Sequence, residues 1–206
     1  MKLTILYSVE QEIRRVLYTV QKFSWYAEQG YSIDSIKLPE GIHKDSSNEE
    51  IARAVTVEYS STDYALCGTK LLEEWKNIPS GFEKMNDASF HLESGYGVLL
   101  TKYGMKGSYD VNACQVIIRM NTQLEGSITG VVAHEIVHMT IQYLIDQYHV
   151  RHWRKERLVD LLMEHYFPGL KKMQAIKEDV SIVDHAFEKF FPNMGAVAQL
   201  NISARQ

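Results

Sequence analysis

The chain has 206 residues, of which 45% are hydrophobic and 23% are charged, and its formal net charge is −4 at pH 7. This length can bury a substantial core as one domain, while scattered Lys and Arg side chains and a pI near 6.1 argue against a nucleic-acid partner. We expect no membrane partner, because no apolar run approaches the length of a membrane span. We also expect no export signal. Two cysteines are too few for a disulfide framework, so we expect a cytoplasmic location.

The first 95 residues are predicted to alternate between strands, helices and loops. β-branched and aromatic residues indicate the strands, apolar residues at helical spacing indicate the helices, and Gly30 is a helix stop. In chain order we expect a strand over Lys2–Ser8, a helix from Val9 to about Gln29, a strand over Tyr31–Leu38, a loop over Gly41–Asn48, an undecided segment over Glu49–Val57, a helix over Ser61–Asn77 and a loop over Pro79–Gly95.

Two extended runs follow, over Tyr96–Tyr103 and Val111–Met120. Gly104, Gly107 and Asp110 lie between them, and such turn-forming residues are typical of a β-hairpin. We therefore predict that these two runs pair with each other in an antiparallel arrangement.

His134 to His138 read His-Glu-Ile-Val-His within an apolar, β-branched run that predicts a buried helix. Residues i and i+4 are only about 40° apart around a helix axis, so both imidazoles project from one face and can meet a single tetrahedral Zn²⁺. Glu135 lies beside that face, where its carboxylate can take a proton from a water molecule at the metal. We favour this chemistry over a helix with two structural histidines.

Glu156 is the preferred third zinc ligand. It follows His138 by eighteen residues, which is enough for the first helix to end and for a second helix to return antiparallel to it. Asp160 comes one helical turn later on the same face, where it could accept the second ring N–H of a zinc-bound histidine. Two His, one Glu and a water form the open type of zinc site found in catalysis.

Other assignments for the third ligand stay open. His149 and His152 lie near the end of the first helix or in the turn after it, and would need a sharp break in the chain to reach the metal. Glu164 is on the second helix, two turns beyond Glu156. Glu156 itself has an alternative that involves no metal, a solvated carboxylate at a helix start, where the helix dipole favours negative charge.

These residues resemble the gluzincins, the thermolysin-like clan of zinc metallopeptidases. The resemblance implies that His134, His138 and Glu156 are the ligands, that Glu135 is the general base and that Asp160 supports a ligand histidine. It covers the two helices, about a fifth of the chain, and it implies a zinc-dependent peptidase acting on a peptide or protein substrate. A catalytically silent zincin fold used as a binding protein is the alternative.

The chain departs from related patterns at three positions. Lys155 stands where the gluzincins often have Asn before the ligand Glu. The metzincin pattern requires Gly three residues and His six residues after the second histidine, and Ile141 and Leu144 occupy those places. The metzincin clan is therefore excluded.

The resemblance also implies a fold. We expect an α+β, zincin-like single domain over 1–206, with an α/β upper lobe at 1–150 and a helical lower lobe at 151–206. A small mixed sheet would pack its edge strand on the zinc helix. The strand over Asp110–Arg119 is the expected edge, and Asn112 and Ala113 are similar to the Asn-Ala pair with which thermolysin-like enzymes hold a substrate by strand addition.

The end of the chain is predicted to be helical after Pro168, first over Leu170–Ile176 and then from Ser181 until Pro192. Some gluzincins place a His or Tyr from this part of the chain near the developing oxyanion. The resemblance makes His185 and Tyr166 the candidates for that catalytic role.

Overall fold

A computed structural model of the protein describes residues 1–88, 90–120, 128–170, 176 and 178–200. It is an α+β fold, in which helices surround a small mixed sheet. The strands are β1 (Lys2–Leu6), β2 (Gly95–Thr101), β3 (Gly107–Asp110) and β4 (Gln115–Arg119). The α-helices are α1 (Val9–Gln21), α2 (Phe23–Glu28), α3 (Asn48–Glu58), α4 (Ser61–Trp75), α5 (Pro79–Asp87), α6 (Ile128–Gln147), α7 (His152–Tyr166), α8 (Ser181–Phe190) and α9 (Met194–Leu200).

The sheet has the strand order β1-β2-β4-β3. β2 is parallel to both β1 and β4, whereas β3 is antiparallel to β4 and forms one edge. The second half of β2 is buried on both faces, with Val98 and Leu100 on one face and Leu99 and Thr101 on the other, as expected for a central strand with parallel neighbours. β4 buries alternate residues, Val116 and Ile118, following the two-residue period of a strand.

The predicted hairpin was wrong in its pairing. The runs over Tyr96–Tyr103 and Val111–Met120 contain β2 and β4, which are parallel neighbours, and the hairpin partner of β4 is β3. β3 is only four residues long, and it lies among the turn-forming residues that the sequence analysis assigned to the hairpin loop. Turn-forming residues mark breaks in regular structure, but they do not say which strands pair.

Other early elements differ from the sequence expectations in smaller ways. The segment Tyr31–Leu38 forms a short 3₁₀ turn at Ile33–Ser35 and a single bridge from Lys37 to Gly104, so it is not a strand of the sheet. The expected loop over Pro79–Gly95 begins with α5, which has Pro at its first position, where the missing N–H costs nothing.

Capping decides the segment that the sequence left ambiguous. Ser47 and Glu50 form a reciprocal capping box, in which each side chain accepts a hydrogen bond from the other residue's backbone N–H, and this starts α3.

The predicted helix over Leu170–Ile176 falls mostly on 171–175, outside the described residues.

α6 forms the centre of the core. It packs on β3, β4, α4, α7 and α9, and most of its side chains are buried. The sequence analysis expected no apolar run long enough to span a membrane. Among the helices that the structure describes, α6 is apolar and long enough, with a mean hydropathy of 1.2 over an 18-residue window. However, 78% of that window is buried inside the protein, and a helix in the core of a protein has the same length and apolar composition.

The close packing of Gly81 against Phe167 can be tested through the stability of the folded protein. A Cβ at Gly81 on α5 would overlap the ring of Phe167 in the core, whereas a Cβ at Gly169 would meet nothing within 4 Å. We expect Gly81→Ala to lower the free energy of unfolding by about 1–2 kcal/mol, after the helix-propensity gain of alanine is subtracted from the cost of overpacking. Gly169→Ala, the matched control, should change it by less than about 1 kcal/mol. Equal stabilities in urea denaturation would contradict this packing.

Candidate metal site

The turn between α6 and α7 brings the expected ligands together. α6 ends at Gln147, His149 adopts a positive φ of 48°, and α7 begins at His152 and packs back along α6. His134 and His138 therefore face Glu156, and all three side chains are buried. Their donor atoms lie within 4.8 Å of one another, so these three residues, the metal group, could hold a metal ion.

The distances within this group match tetrahedral coordination. His134 Nε2 is 3.0 Å from His138 Nε2, and Glu156 Oε2 is 3.7 Å from the first and 3.2 Å from the second. Ligand atoms around tetrahedral zinc are about 3.3 Å apart, because the bonds are about 2.0–2.2 Å long. A point about 2 Å from all three atoms exists about 0.5 Å outside their plane, so an ion with bonds of ordinary length could contact all three.

The protonation states suit metal binding. Burial lowers the pKa of His138 to about 4, against the opposing charge of Glu156, so its imidazole is neutral at pH 7. Burial alone would raise the pKa of Glu156, but the two histidines and Lys155 lower it well below its ordinary value. Neutral imidazoles and an ionised carboxylate are the forms that bind a metal ion.

Glu135 is buried beside the group but does not belong to it. Its carboxylate lies against the backbone of Gly107 in β3, so closely that a Cβ on that glycine would overlap Glu135 Oε1 and come within 2.8 Å of Val131. Only glycine leaves room here. The edge strand and the Glu135 carboxylate are therefore held in direct contact.

Asp160 also reaches the group, as the sequence analysis expected. Its Oδ1 is 3.9 Å from His134 Nδ1, and its side chain is only 1% exposed. This distance is about 1 Å longer than a hydrogen bond between the two atoms. His138 Nδ1, by contrast, is buried with no hydrogen-bond partner in the part of the chain that the structure describes.

Two residues next to the metal group were missed by the sequence analysis. The Tyr109 ring of β3 stacks on His138 with a centroid distance of 5.3 Å and an interplanar angle of 14°, and its hydroxyl donates to Gln142. Lys155 Nζ lies 3.4 Å from Glu156 Oε1 and 3.4 Å from the Tyr109 hydroxyl. Lys155 had one visible signal, its position directly before the ligand Glu. Tyr109 had none, because its register depends on strand pairing.

His152 and Tyr31 lie on another side of Glu156. His152 Nδ1 is 3.8 Å from Glu156 Oε1, and its Nε2 is 2.7 Å from the Tyr31 hydroxyl. Burial and the negative charges of Glu156 and Glu135 raise the pKa of Tyr31, so this hydroxyl stays protonated. The alternative ligand His152 is thus a neighbour of Glu156, while His149 is exposed and Glu164 pairs with Arg157.

Other predicted site residues are not brought to this group. Asn112 and Ala113 lie in the turn between β3 and β4, where their N–H groups donate to Asp110, so they are not on an edge strand. The expected edge, Asp110–Arg119, was wrong because β4 is covered by β3. These corrections follow from strand order, which short motifs do not determine.

Tyr166 and His185 were the expected oxyanion residues. Tyr166 is buried against Phe90 and Phe191, and it is ten residues after Glu156, or about 15 Å along α7. Tyr166 therefore packs in the core at the other end of α7 from Glu156, and its catalytic role stays a prediction. His185 is exposed on α8, whose contact with α7 here is made by Asp184 and Arg157. His185 is not among the residues gathered around the metal group.

Comparisons with protein-family models, with curated protein sequences and with solved structures find no match to this chain.

Asp160 can be tested by metal titration. If it supports His134, Asp160→Ala should weaken zinc affinity by about 10–100-fold, because the imidazole loses the group that orients it. Glu164→Ala, one turn later on the same helix and partly exposed, is the matched control and should bind zinc as the wild type does. Equal zinc affinities for Asp160→Ala and wild type, measured by chelator competition, would remove Asp160 from the site.

Proposed function

We propose that the protein is a zinc-dependent peptidase with a zincin-like fold of the gluzincin type. The observation that carries the proposal is the buried convergence of His134, His138 and Glu156, with a separate carboxylate, Glu135, next to them. Three ligands leave a tetrahedral ion with one open position, which is the arrangement of catalytic rather than structural zinc sites.

The donor set supports zinc among the common ions. Mg²⁺ and Ca²⁺ prefer six or more oxygen ligands, whereas two imidazoles and a carboxylate at tetrahedral spacing suit Zn²⁺. The pKa directions of His138 and Glu156 mean that little proton release opposes binding at neutral pH.

Glu135 would perform the proton transfers. A zinc ion bound here would supply Lewis acidity, polarising a substrate carbonyl and lowering the pKa of a water molecule. Glu135 would take a proton from the attacking water and then deliver it to the leaving nitrogen. The backbone of Gly107 bounds this carboxylate on the side of β3, because a side chain at that position would overlap it.

No strand among the described residues pairs with the outer edge of β3, which offers a place for an extended peptide. Arg119 N–H donates to Lys106 O, and from this pair the antiparallel alternation directs the N–H and C=O groups of Gly107 and Tyr109 away from β4. These are the same two residues that contact Glu135 and stack on His138. A substrate added to this edge as a strand would therefore pass directly over the metal group.

The first test is metal content. We expect the purified chain to bind about one zinc ion, and we expect Glu156→Gln to bind it at least about tenfold more weakly, because an anionic ligand becomes a neutral amide. His91→Ala, which alters an exposed histidine in the segment before β2, is the control and should leave binding unchanged. Zinc-free wild-type protein after incubation with the ion would contradict the proposal.

The second test separates binding from chemistry. Glu135→Gln should retain zinc and lose cleavage of a peptide library by at least about 100-fold, because it removes the general base but no ligand. A variant that loses its zinc would make Glu135 a ligand, and a fully active variant would place the base elsewhere. Wild-type protein that binds zinc but cleaves no peptide would favour the silent binding protein instead.

A further inference from the structure

Lys155 occupies a position between the metal group and the edge strand. Its side chain is 17% exposed, and its ammonium group contacts both Glu156 Oε1 and the Tyr109 hydroxyl. A lysine side chain is ordinarily a cation at neutral pH, and the carboxylate of Glu156 lies within ion-pair distance of this one. A half-buried cation beside a group that could hold a metal ion needs an explanation, because the two positive charges would repel each other.

The two carboxylate oxygens of Glu156 have different partners. Oε2 faces the histidines, at 3.2 Å from His138 Nε2 and 3.7 Å from His134 Nε2. Oε1 points the other way, at 3.4 Å from Lys155 Nζ and 3.8 Å from His152 Nδ1. A carboxylate held in this way can present one oxygen to an ion while the other oxygen is occupied.

We propose that Lys155 is a positioning residue that holds Glu156 Oε1, so that Glu156 binds the metal through Oε2 alone, at the cost of metal affinity. This inference rests on the proposed function, since it requires the ion to bind at His134, His138 and Glu156. Its consequence is a low coordination number, which keeps a position open for water and substrate.

Tyr109 keeps the lysine in place. Its hydroxyl donates to Gln142 and accepts from Lys155, while its ring is fixed by stacking on His138. The ammonium group of Lys155 is thus held between two partners, Glu156 and the Tyr109 hydroxyl of the edge strand. Since Tyr109 also belongs to the edge that would hold a peptide, Lys155 connects the third ligand to the substrate-binding strand.

The sign of the affinity change distinguishes this role from a structural one. Lys155→Met keeps the length of the side chain but removes its charge, so Glu156 Oε1 loses its cationic partner and can turn toward the ion, and a nearby positive charge is lost. We expect zinc to bind about tenfold more tightly to Lys155→Met than to wild type, by chelator competition. A lysine that merely stabilised the fold would have the opposite effect, because its loss would loosen the site and weaken binding.

Coordination number is the second readout. With Co²⁺ in place of zinc, the visible absorption of Lys155→Met should be weaker than that of wild type, because a fifth ligand atom reduces tetrahedral character. Lys155→Arg retains the charge and should resemble wild type in both affinity and spectrum. Lys189→Met, an exposed lysine lying over the Phe190 ring of α8, is the matched control and should change neither.

The outcomes are distinguishable from failure of the proposed function. Wild-type protein that binds no metal overturns both proposals. Wild-type binding with unchanged or weaker affinity and an unchanged Co²⁺ spectrum in Lys155→Met overturns only the role of Lys155. If Lys155→Met does not fold, as judged by its melting curve, Lys155→Gln is neutral yet polar enough for the buried position, and the same results are expected of it.

Discussion

This structure depends on one constraint, the burial of three polar side chains on α6, the central helix of the core. α6 holds the sheet and the C-terminal helices together through its apolar side chains, yet His134, Glu135 and His138 are buried among them. Polar groups taken out of water raise the free energy of the folded state unless they find partners. On α7, Glu156 lies 3.2 Å from His138 and Asp160 lies 3.9 Å from His134, so the packing of α7 against α6 brings polar groups together as well as apolar ones.

The sheet meets the same polar side chains from the other side. β3 is short and antiparallel, and its two α6-facing residues are the smallest possible side chain, Gly107, and a flat ring, Tyr109. The glycine lets the strand approach the Glu135 carboxylate, while the ring covers His138 and reaches Lys155. The edge strand, the proposed base and the metal group thus form one contiguous unit, in which the position of each depends on the others.

Local spacing in the sequence was sufficient to predict the metal group. His134 and His138 share a helix face because they are four residues apart, and Glu156 and Asp160 share a face for the same reason. An eighteen-residue separation allows a turn and an antiparallel return, and the structure contains both. The α+β class and most helices could be predicted for a similar reason, since helical periodicity and caps are properties of neighbouring residues.

Strand order and the surroundings of the metal group were decided only by the tertiary structure. Pairing of β2 with β4, and the edge position of β3, depend on contacts between segments that any local pattern treats separately, which is why the hairpin and the Asn112–Ala113 edge were predicted wrongly. Lys155 acquires its role from Tyr109, 46 residues earlier in the chain, and His152 acquires its partner from Tyr31, 121 residues earlier. The sequence by itself determined which side chains can bind a metal ion, because helix geometry is local. Which side chains surround His134, His138 and Glu156 was determined by non-local packing, because it depends on how the strands and helices are ordered in space.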